Sequence, residues 1–310
     1  MQTYLTLDIG GSKYVVGLVT RDGRILARRK GTWREPTADG VLAQLLEESR
    51  TILTETGEQP VACGATIPGL ADAARGVWVE SSFSGIHNFP ICALLNEALG
   101  IPAYCENDGQ AYSLAEAFFG SCREEKNFLF MNVSNGIGGS LVVDGRLLGG
   151  NSGFAGEFGH CHVVDEGRPC HCGQKGCLEM YAAGPGIARN YAELGGAPDD
   201  HGRPASCEVI AGRARKGEAL ARQIFDMEGK YLGRVLAMAV NMLNPKKIVI
   251  GGGVSLAFDL FADSLRATLR DQTFLYANPD VEVTATPLGY DAGLFSGAAI
   301  AISRLENLMI

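Results

Sequence analysis

Short apolar runs that end in turns dominate the first thirty residues of the chain. Residues 3–9 form one such run, and Gly10-Gly11-Ser12 follows it directly. Two further runs, 14–20 and 25–29, are separated by Asp22-Gly23, a pair that is typical of a tight hairpin. The pattern predicts three consecutive strands, with a glycine turn between the first and the second.

Beyond residue 30 the spacing of apolar residues alternates between that of helices and that of strands. Apolar residues between 42 and 53 recur three or four positions apart, which predicts an amphipathic helix. The later segments predict strand 61–65, helix 91–99, strand 102–106 and helix 109–119.

The same succession of elements starts again near residue 128. Residues 128–133 predict a strand, 134–139 a glycine turn and 140–143 a second strand. The hairpin sequence Asp22-Gly23-Arg24-Ile25-Leu26 has a counterpart in Asp144-Gly145-Arg146-Leu147-Leu148. Two copies do not make a solenoid, which needs several short repeats. The duplication instead predicts two similar α/β domains facing each other, with a glycine turn from each pointing into the cleft.

The remaining sequence predicts further helices and two more strands. A segment rich in Ala, Leu and Met predicts a helix over 218–243, and strand 247–250 follows Asn244-Pro245. Gly251-Gly252-Gly253 is a third glycine turn before another helix. Strand 281–286 and helix 291–304 complete the pattern.

Composition and charge narrow the function classes. The 310 residues are 46% hydrophobic and 20% charged, which is ordinary globular usage and excludes a disordered chain. A net charge of −8 without a basic run argues against binding to nucleic acid or to a membrane surface. Because the sequence has neither a long apolar span nor a cleavable leader pattern, we expect a cytoplasmic protein.

The three glycine turns are candidate phosphate-binding sites, because each leaves free backbone N–H groups at the end of a strand. Asp8 precedes the first turn, where its carboxylate is suited to hold Mg²⁺. A turn-capping role for Asp8 is the alternative. The turns fit neither the P-loop pattern G-x-x-x-x-G-K-S/T nor a G-x-G-x-x-G that opens a helix. Both of those nucleotide-binding classes are therefore disfavoured.

Asn107-Asp108 stands between a predicted strand and a predicted helix. Asn and Asp are preferred helix N-cap residues, so capping is one interpretation of the pair. In a cleft that faces phosphate turns, the carboxylate of Asp108 is also a candidate general base for a hydroxyl nucleophile.

Three of the nine cysteines, Cys170, Cys172 and Cys177, lie within eight residues. Together with His160 they form a set of one His and three Cys, which is a ligand type of structural zinc sites. His162 and His171 compete for the histidine role. A disulfide is the alternative, which the odd cysteine count and the expected compartment disfavour. An ordered zinc loop would fix the direction of Glu179.

Taken together, these segments resemble the ROK family of sugar kinases and repressors over essentially the whole chain. Residues 8–13, D-I-G-G-S-K, are similar to the family's phosphate motif D-x-G-G-T-K, and Glu106-Asn107-Asp108 is similar to its catalytic E-N-D. Residues 156–160 and 170–179 match its G-E-x-G-H and C-x-C-G-x-x-G-C-x-E signatures at every defined position.

The resemblance implies an actin-like, duplicated two-domain α/β fold with an interdomain cleft. A small N-terminal α/β domain is expected over 1–118 plus 291–310, and a large C-terminal α/β domain with the zinc-binding loop over 119–290. The implied catalytic base is Asp108. The implied sugar ligands are Gly69, Asn107, Asp108, Glu157, His160 and Glu179. The implied zinc ligands are His160, Cys170, Cys172 and Cys177. The implied ATP-binding residues are Asp8, Gly10, Gly11, Ser12, Lys13, Ser134, Asn135, Gly136, Gly138, Gly139, Gly252 and Gly253.

The implied activity is phosphoryl transfer from ATP, with Mg²⁺, to a hexose hydroxyl. Glucose O6 is the first expectation, and another hexose or an N-acetylhexosamine such as N-acetylmannosamine is the alternative. We expect a homodimer or homotetramer that binds a small-molecule sugar and neither nucleic acid nor membrane. The family's repressors carry a helix-turn-helix ahead of the phosphate motif. A repressor is disfavoured here because Asp8 stands almost at the N-terminus of this sequence and the chain is acidic. A non-catalytic sugar-binding protein is disfavoured because Asp108 is present.

Two segments depart from the family pattern. Ser134-Asn135-Gly136 stands where the family has G-T-G, which bears on nucleotide affinity, although Asn135 can still hydrogen-bond a phosphate. Residues 83–88, F-S-G-I-H-N, stand where glucose kinases of the family carry an Asn-Leu-Gly-Trp-like segment that touches the sugar. This loop therefore bears on which hexose is bound. We further expect Glu179 to affect the Michaelis constant for sugar and not that for ATP, because ATP is assigned to the glycine turns.

Overall fold

The computed structural model describes residues 2–81, 85–151, 153–278 and 280–308. Phe83 and Ser84, in the loop singled out above, lie outside the described residues. The chain divides into two compact units, described separately below. The first comprises Met1–Glu124, Gly145–Leu147 and Pro287–Ile310, and the second comprises Glu125–Asp144 and Leu148–Thr286. None of the helices that the structure describes combines the length and apolar character that a membrane span requires.

The first unit contains a five-stranded sheet, a small three-stranded sheet and several helices. Its elements up to residue 118 are β1 (Thr3–Ile9), β2 (Lys13–Thr20), β3 (Ile25–Thr32), α1 (Ala38–Thr56), β4 (Ala62–Ile67), β5 (Leu70–Asp72), β6 (Val77–Glu80), β7 (His87–Phe89), α2 (Ile91–Leu99), β8 (Ala103–Asn107) and α3 (Asp108–Phe118). The large sheet has the order β3-β2-β1-β4-β8. Its β3, β2 and β1 are antiparallel, whereas β1, β4 and β8 are parallel. The small sheet, β5-β6-β7, is antiparallel.

Position in the sheet accounts for the sequence of each strand. β1 is central, and all of its residues except Asp8 are buried. β3 is at the edge, and its residues alternate between half-buried and exposed, as expected for a strand with one covered face.

Helix α1 has clear signals at both ends. Thr37 caps α1 by accepting a hydrogen bond from the Gly40 N–H at 3.2 Å, and Gly57 ends the helix in the left-handed conformation.

The chain from 125 to 286 repeats this order of elements. They are β9 (Phe128–Val133), β10 (Ile137–Val143), β11 (Arg146–Leu147), α4 (Glu179–Ala182), α5 (Gly184–Glu193), α6 (Cys207–Arg215), α7 (Ala219–Leu243), β12 (Lys247–Gly251), α8 (Phe258–Gln272) and β13 (Glu282–Ala285). In the order β10-β9-β12-β13 the first pair is antiparallel and the others are parallel. The arrangement is that of β2-β1-β4-β8 in the first unit, as the duplicated sequence pattern predicts.

The last helix, α9 (Ala292–Leu305), belongs to the first unit and packs against its large sheet. The two backbones approach closely, since a Cβ at Gly64 of β4 would overlap the carbonyl of Gly297 in α9. Only glycine allows such an approach between a helix and a strand. The end of the chain is therefore an integral part of the core formed by its beginning.

One predicted strand needs correction, and several short elements were not predicted. The strand predicted for 140–143 begins at Ile137, so Gly138 and Gly139 belong to β10 and not to the turn before it. A Cβ at Gly139 would lie 2.8 Å from the Phe158 ring, so this glycine is explained by packing within the strand. The sequence analysis also missed the short strands between 70 and 89 and the helices between 179 and 215.

Candidate active site

Asn107 and Asp108 mark the point where β8 ends and α3 begins. Asn107 is the N-cap of α3, because its Oδ1 accepts a hydrogen bond from the Gly109 N–H at 2.9 Å. Its Nδ2 donates to the carbonyl of Gly69 at 2.6 Å, which brings two of the predicted sugar ligands together. Asp108 occupies the first helical position, and its Oδ1 also accepts from the Gly109 N–H, at 2.7 Å. The Asp108 carboxylate therefore lies at the N-terminus of α3, where the helix dipole stabilises negative charge.

Glu106, directly before this pair, is buried, and both of its carboxylate oxygens have partners. Oε1 accepts from the Asn107 N–H at 3.1 Å, and Oε2 accepts from the Arg304 guanidinium of α9 at 3.3 Å. Burial raises the pKa of Glu106, while the bond from Asn107 and the charge of Arg304 lower it. The sequence analysis gave Glu106 no role of its own. In the structure Glu106 connects the end of β8 to α9, directly before the predicted general base Asp108.

Asp8 lies at the end of β1, directly before the first glycine turn. Burial raises the pKa of this carboxyl, while a hydrogen bond from the Thr66 hydroxyl at 3.0 Å and the Lys13 ammonium lower it. The turn is closed by a bond from the Gly10 N–H to the Lys13 carbonyl at 2.9 Å, and Gly11 at its tip is exposed. The carboxylate and the turn are therefore adjacent, as a site for Mg²⁺ and phosphate requires.

Tyr112 relates Asp8 and Asp108 to each other within the first unit. It lies one helical turn beyond Asp108 on α3. Burial raises the pKa of Tyr112 well above its usual value, and the carboxylates of Asp8 and Asp108 raise it further. Asp8 and Asp108 also lie at the carboxyl ends of β1 and β8, which are parallel to β4 between them, so both carboxylates are at the same edge of the sheet. The sequence analysis missed Tyr112, since its position does not distinguish it from a core aromatic residue.

The second glycine turn, Ser134 to Ile137, is held at three points in the second unit. The Ser134 N–H donates to the Gly136 carbonyl at 2.9 Å, and the Gly184 N–H donates to the Ser134 carbonyl at 2.8 Å. The third contact is a bond from the Ile137 N–H to Glu179 Oε2 at 2.8 Å. Asn135 is exposed at the tip.

Gly252 and Gly253 form the third turn, next to the second. Gly252 has φ +83°, and a Cβ there would overlap the Val133 carbonyl, so glycine is required on two grounds. Its own carbonyl accepts from the Ser255 N–H at 3.0 Å. β12 runs parallel to β9, which places both turns at the carboxyl ends of neighbouring strands. Two of the three predicted phosphate turns are thus brought together.

His160, Cys170, Cys172 and Cys177 form one cluster, with all four donor atoms within 4.8 Å of one another. The Cys172 and Cys177 sulfurs are 3.6 Å apart, and the Cys170 sulfur is 3.6 Å from His160 Nδ1. A tetrahedral zinc with bonds of about 2.0–2.3 Å has ligand separations of about 3.5–3.8 Å. The donor set therefore fits a tetrahedral Zn²⁺ site in which all four positions are filled by protein ligands. The disulfide alternative is not found, because all nine cysteines are free.

The competing histidines have other surroundings. His171 Nδ1 lies 3.9 Å from the Cys170 sulfur and forms a second possible ligand group with Cys170 and Glu179. His162 belongs to neither group among the described residues, and its Nδ1 lies 3.8 Å from Asp165. His160 directs Nδ1 to Cys170 and Nε2 towards Glu157, at 3.8 Å from Oε2. Nδ1 is therefore available to a metal, and Nε2 is available to a bound substrate.

Glu157 and Glu179 differ in their environments. The side chain of Glu157 is 59% exposed, whereas that of Glu179 is 13% exposed. One oxygen of Glu179 meets the Ile137 N–H of the second turn, and the other lies 3.3 Å from His171 Nδ1. The sequence predicts no contact between the zinc loop and the glycine turn assigned to ATP. Glu179 makes such a contact, because it accepts a hydrogen bond from the Ile137 N–H.

Comparisons with known proteins find a family and relatives that match nearly the whole chain. The model of the ROK family matches residues 4–304. The chain is 32% identical to a glucokinase of Thermotoga maritima, over 96% of this chain and 97% of the relative. It is 31% identical to an N-acetylmannosamine kinase of Citrobacter koseri, over 96% of this chain and 98% of the relative.

Solved structures show the same fold. A ROK glucokinase from Streptomyces griseus, solved with glucose and AMPPNP, has a TM-score of 0.81 at 29% identity and is matched over 96% of this chain and 99% of that one. A ROK transcriptional regulator, a homologue of the Escherichia coli Mlc protein, has a TM-score of 0.89 at 28% identity, over 96% of this chain and 77% of that one. The predicted actin-like, duplicated α/β fold is confirmed.

Proposed function

The chain belongs to the ROK family, and we propose that it is an ATP-dependent hexose kinase with Asp108 as general base. The observation that carries the proposal is that Asp8 and Asp108 lie at the carboxyl ends of β1 and β8, which run parallel on either side of β4 in one sheet. It unites a carboxylate beside a phosphate turn with a carboxylate at a helix N-terminus. Those are the two acidic groups that phosphoryl transfer to an alcohol needs.

Asp108 takes the proton of the attacking sugar hydroxyl. As that oxygen bonds to the γ-phosphorus of ATP, the bond from phosphorus to the bridging oxygen breaks and ADP leaves with the electron pair. The Gly109 N–H holds Oδ1 of Asp108 at 2.7 Å, which fixes the direction of the carboxylate. Asn107 caps the same helix, and Glu106 ties the strand before it to α9, so that the base is held by three neighbouring contacts.

The nucleotide is assigned to the glycine turns. Gly10 to Lys13 and Ser134 to Gly139 would supply backbone and side-chain donors to the phosphates. Gly252-Gly253, which lies beside the second turn, is assigned to the adenosine. When bound, Mg²⁺ neutralises the charge of the transferring phosphoryl group, and Asp8 is the carboxylate that would hold it. The half-buried position of Asp8 suits a cation, because a cation offsets the cost of keeping a largely desolvated carboxylate ionised.

The sugar hydroxyls are assigned to Gly69, Asn107 and Asp108 of the first unit and to Glu157, His160 and Glu179 of the second. Charged acceptors discriminate strongly between hydroxyl patterns, because a missing hydroxyl leaves the acceptor unpaired. Zn²⁺ on His160, Cys170, Cys172 and Cys177 would be structural, since four protein ligands leave no open position for substrate. It would orient His160 and the residues that follow Cys177.

Glucose is the proposed acceptor, and N-acetylmannosamine is the second candidate because of the 31% identical kinase for that sugar. The test is an assay of sugar-phosphate formation with a panel of hexoses and N-acetylhexosamines, using ATP and polyphosphate as alternative donors. A value of kcat/KM at least about tenfold higher for glucose than for the other sugars supports the first candidate. No phosphorylation of any sugar with either donor would contradict the kinase proposal.

A further inference from the structure

The contact between Glu179 and the second glycine turn has a consequence for nucleotide binding. We infer that Glu179 is a positioning residue for that turn, in addition to its assignment as a sugar ligand. The inference rests on the proposed function, in which the second glycine turn and the start of β10, residues 134–139, hold ATP phosphates. It replaces the expectation that this side chain affects the sugar alone.

The geometry at Ile137 shows why an acceptor is needed. Ile137 is buried, and it is the first residue of β10. Its N–H donates to Glu179 Oε2 at 2.8 Å, 42 residues away in sequence. A buried N–H that loses its acceptor costs the full desolvation of the group. Without Glu179, the turn would therefore be driven to rearrange towards water or another acceptor.

Gly136 makes the contact possible. A Cβ at this position would lie 2.6 Å from Oε2 of Glu179, closer than a carbon and an oxygen approach without a bond. The carboxylate thus packs directly against the backbone of the turn, over both Gly136 and Ile137. The glycine, which the sequence analysis attributes to phosphate binding, also makes room for an acidic side chain from another segment.

Glu179 is itself held firmly enough to act as a support. It begins α4, two residues after Cys177 of the proposed zinc cluster, and the preceding residue donates its N–H to the Cys161 carbonyl at 2.8 Å. Its second oxygen lies 3.3 Å from His171 Nδ1. One oxygen therefore accepts from the turn, and the other faces His171.

Electrostatics alone gives the opposite expectation, which makes the inference testable. A carboxylate close to phosphate groups repels them, so its removal would tighten nucleotide binding if repulsion were its main effect. If Glu179 instead holds the turn in its binding geometry, a side chain without an acceptor weakens binding even though the repulsion is gone. A glutamine keeps an acceptor oxygen and loses the charge.

The test compares Glu179→Gln with Glu179→Met by calorimetric titration of ADP in the absence of sugar. The two side chains are similar in length, and only glutamine can accept the Ile137 N–H. We expect the Met variant to bind ADP about tenfold more weakly and the Gln variant to bind at least as tightly as the parent. Asp165→Asn removes the charge of a fully exposed carboxylate in the same loop and should leave ADP binding unchanged.

Zinc content and melting temperature, measured for each variant, separate a local effect from loss of the fold. Equal or tighter ADP binding by a folded, zinc-loaded Met variant would overturn the inference, as would equal weakening in the Met and Gln variants. Either result leaves the kinase proposal intact if the parent phosphorylates a sugar. A parent that binds no ADP and phosphorylates no sugar would instead contradict the proposed function.

Discussion

Asp8 and Gly293 touch: the carboxylate of Asp8 packs against the α-carbon of Gly293 in the first turn of α9, so that a Cβ at Gly293 would overlap it. The backbone of Gly293 is not left-handed, so its conformation alone does not require glycine. Glycine is required because the Asp8 carboxylate occupies the space where a Cβ would lie. The position of the proposed Mg²⁺-holding carboxylate is thus set by a residue near the opposite end of the sequence.

Gly293→Ala should displace Asp8 and lower kcat/KM for ATP by about tenfold to a hundredfold, since a displacement of about 1 Å at a reacting group has effects of that size. Steady-state kinetics over a range of Mg²⁺ concentrations measures it. Gly212→Ala is the matched control, because Gly212 is also helical and has open space around its α-carbon. Unchanged kinetics of the Gly293 variant would show that Asp8 is not needed where it lies.

Asp108→Asn keeps the shape of the side chain and removes its basicity. We expect kcat to fall by about two to four orders of magnitude, the usual contribution of a general base. Sugar and ADP binding should persist, which calorimetry checks. Asp39→Asn is the control, because Asp39 also lies in the first turn of a helix and is exposed. Near-normal turnover by the Asp108 variant would remove this residue from the mechanism.

The His160 and cysteine cluster should hold one zinc per chain, measurable by elemental analysis of the purified protein. Cys172→Ser should lose the metal, lower the melting temperature and impair sugar binding, because the loop that carries His160 and Glu179 loses its anchor. Cys161→Ser should keep the zinc, since Cys161 lies in the same loop outside the ligand group. Parent protein without zinc, purified without chelator, would contradict the site.

Glu228 of α7 should destabilise the folded protein as the pH rises. It is fully buried, and neither carboxylate oxygen has a hydrogen-bond partner among the described residues. Burial raises the pKa of Glu228 well above its usual value. Above the unfolded pKa, near 4.3, the folded state therefore binds more protons than the unfolded state, and stability falls until the pH passes the folded pKa.

Glu228→Met replaces the unpaired buried carboxyl with an apolar side chain of similar length. We expect it to raise the free energy of unfolding by about 1–3 kcal/mol at pH 7, the cost of an unsatisfied buried polar group. Denaturant titrations between pH 4 and pH 9 should show the advantage of the variant growing with pH. An advantage that stays constant with pH would mean that Glu228 keeps the same charge in both states.

Local patterns in the sequence predict the elements whose stabilising contacts are local. The hairpin at Asp22-Gly23, the helix N-cap at Asn107 and the cysteine cluster all depend on residues close in sequence. The strand glycines Gly138 and Gly139 were misassigned because glycine is disfavoured in strands, and the ring of Phe158 that requires Gly139 is not identifiable from nearby residues.

The missed parts of the site depend on pairs that are distant in sequence. Glu179 meets Ile137, Glu106 meets Arg304, and Asp8 meets Gly293, each across two elements of one unit. No periodicity or spacing links the members of such a pair, because the fold alone brings them together. The sequence therefore predicts candidate reacting groups, but not the residues that hold them in position.

The packing of α9 against β1 and β4 also determines when each unit can form during synthesis. The second unit is almost continuous in sequence, and its sheet and helices are complete once residue 286 has left the ribosome. The first unit begins the chain but lacks its central helix until 292–305 has been made. Its apolar sheet face stays uncovered while the rest of the chain is translated. The N-terminal half therefore finishes folding last, against the usual order in which domains mature as they emerge.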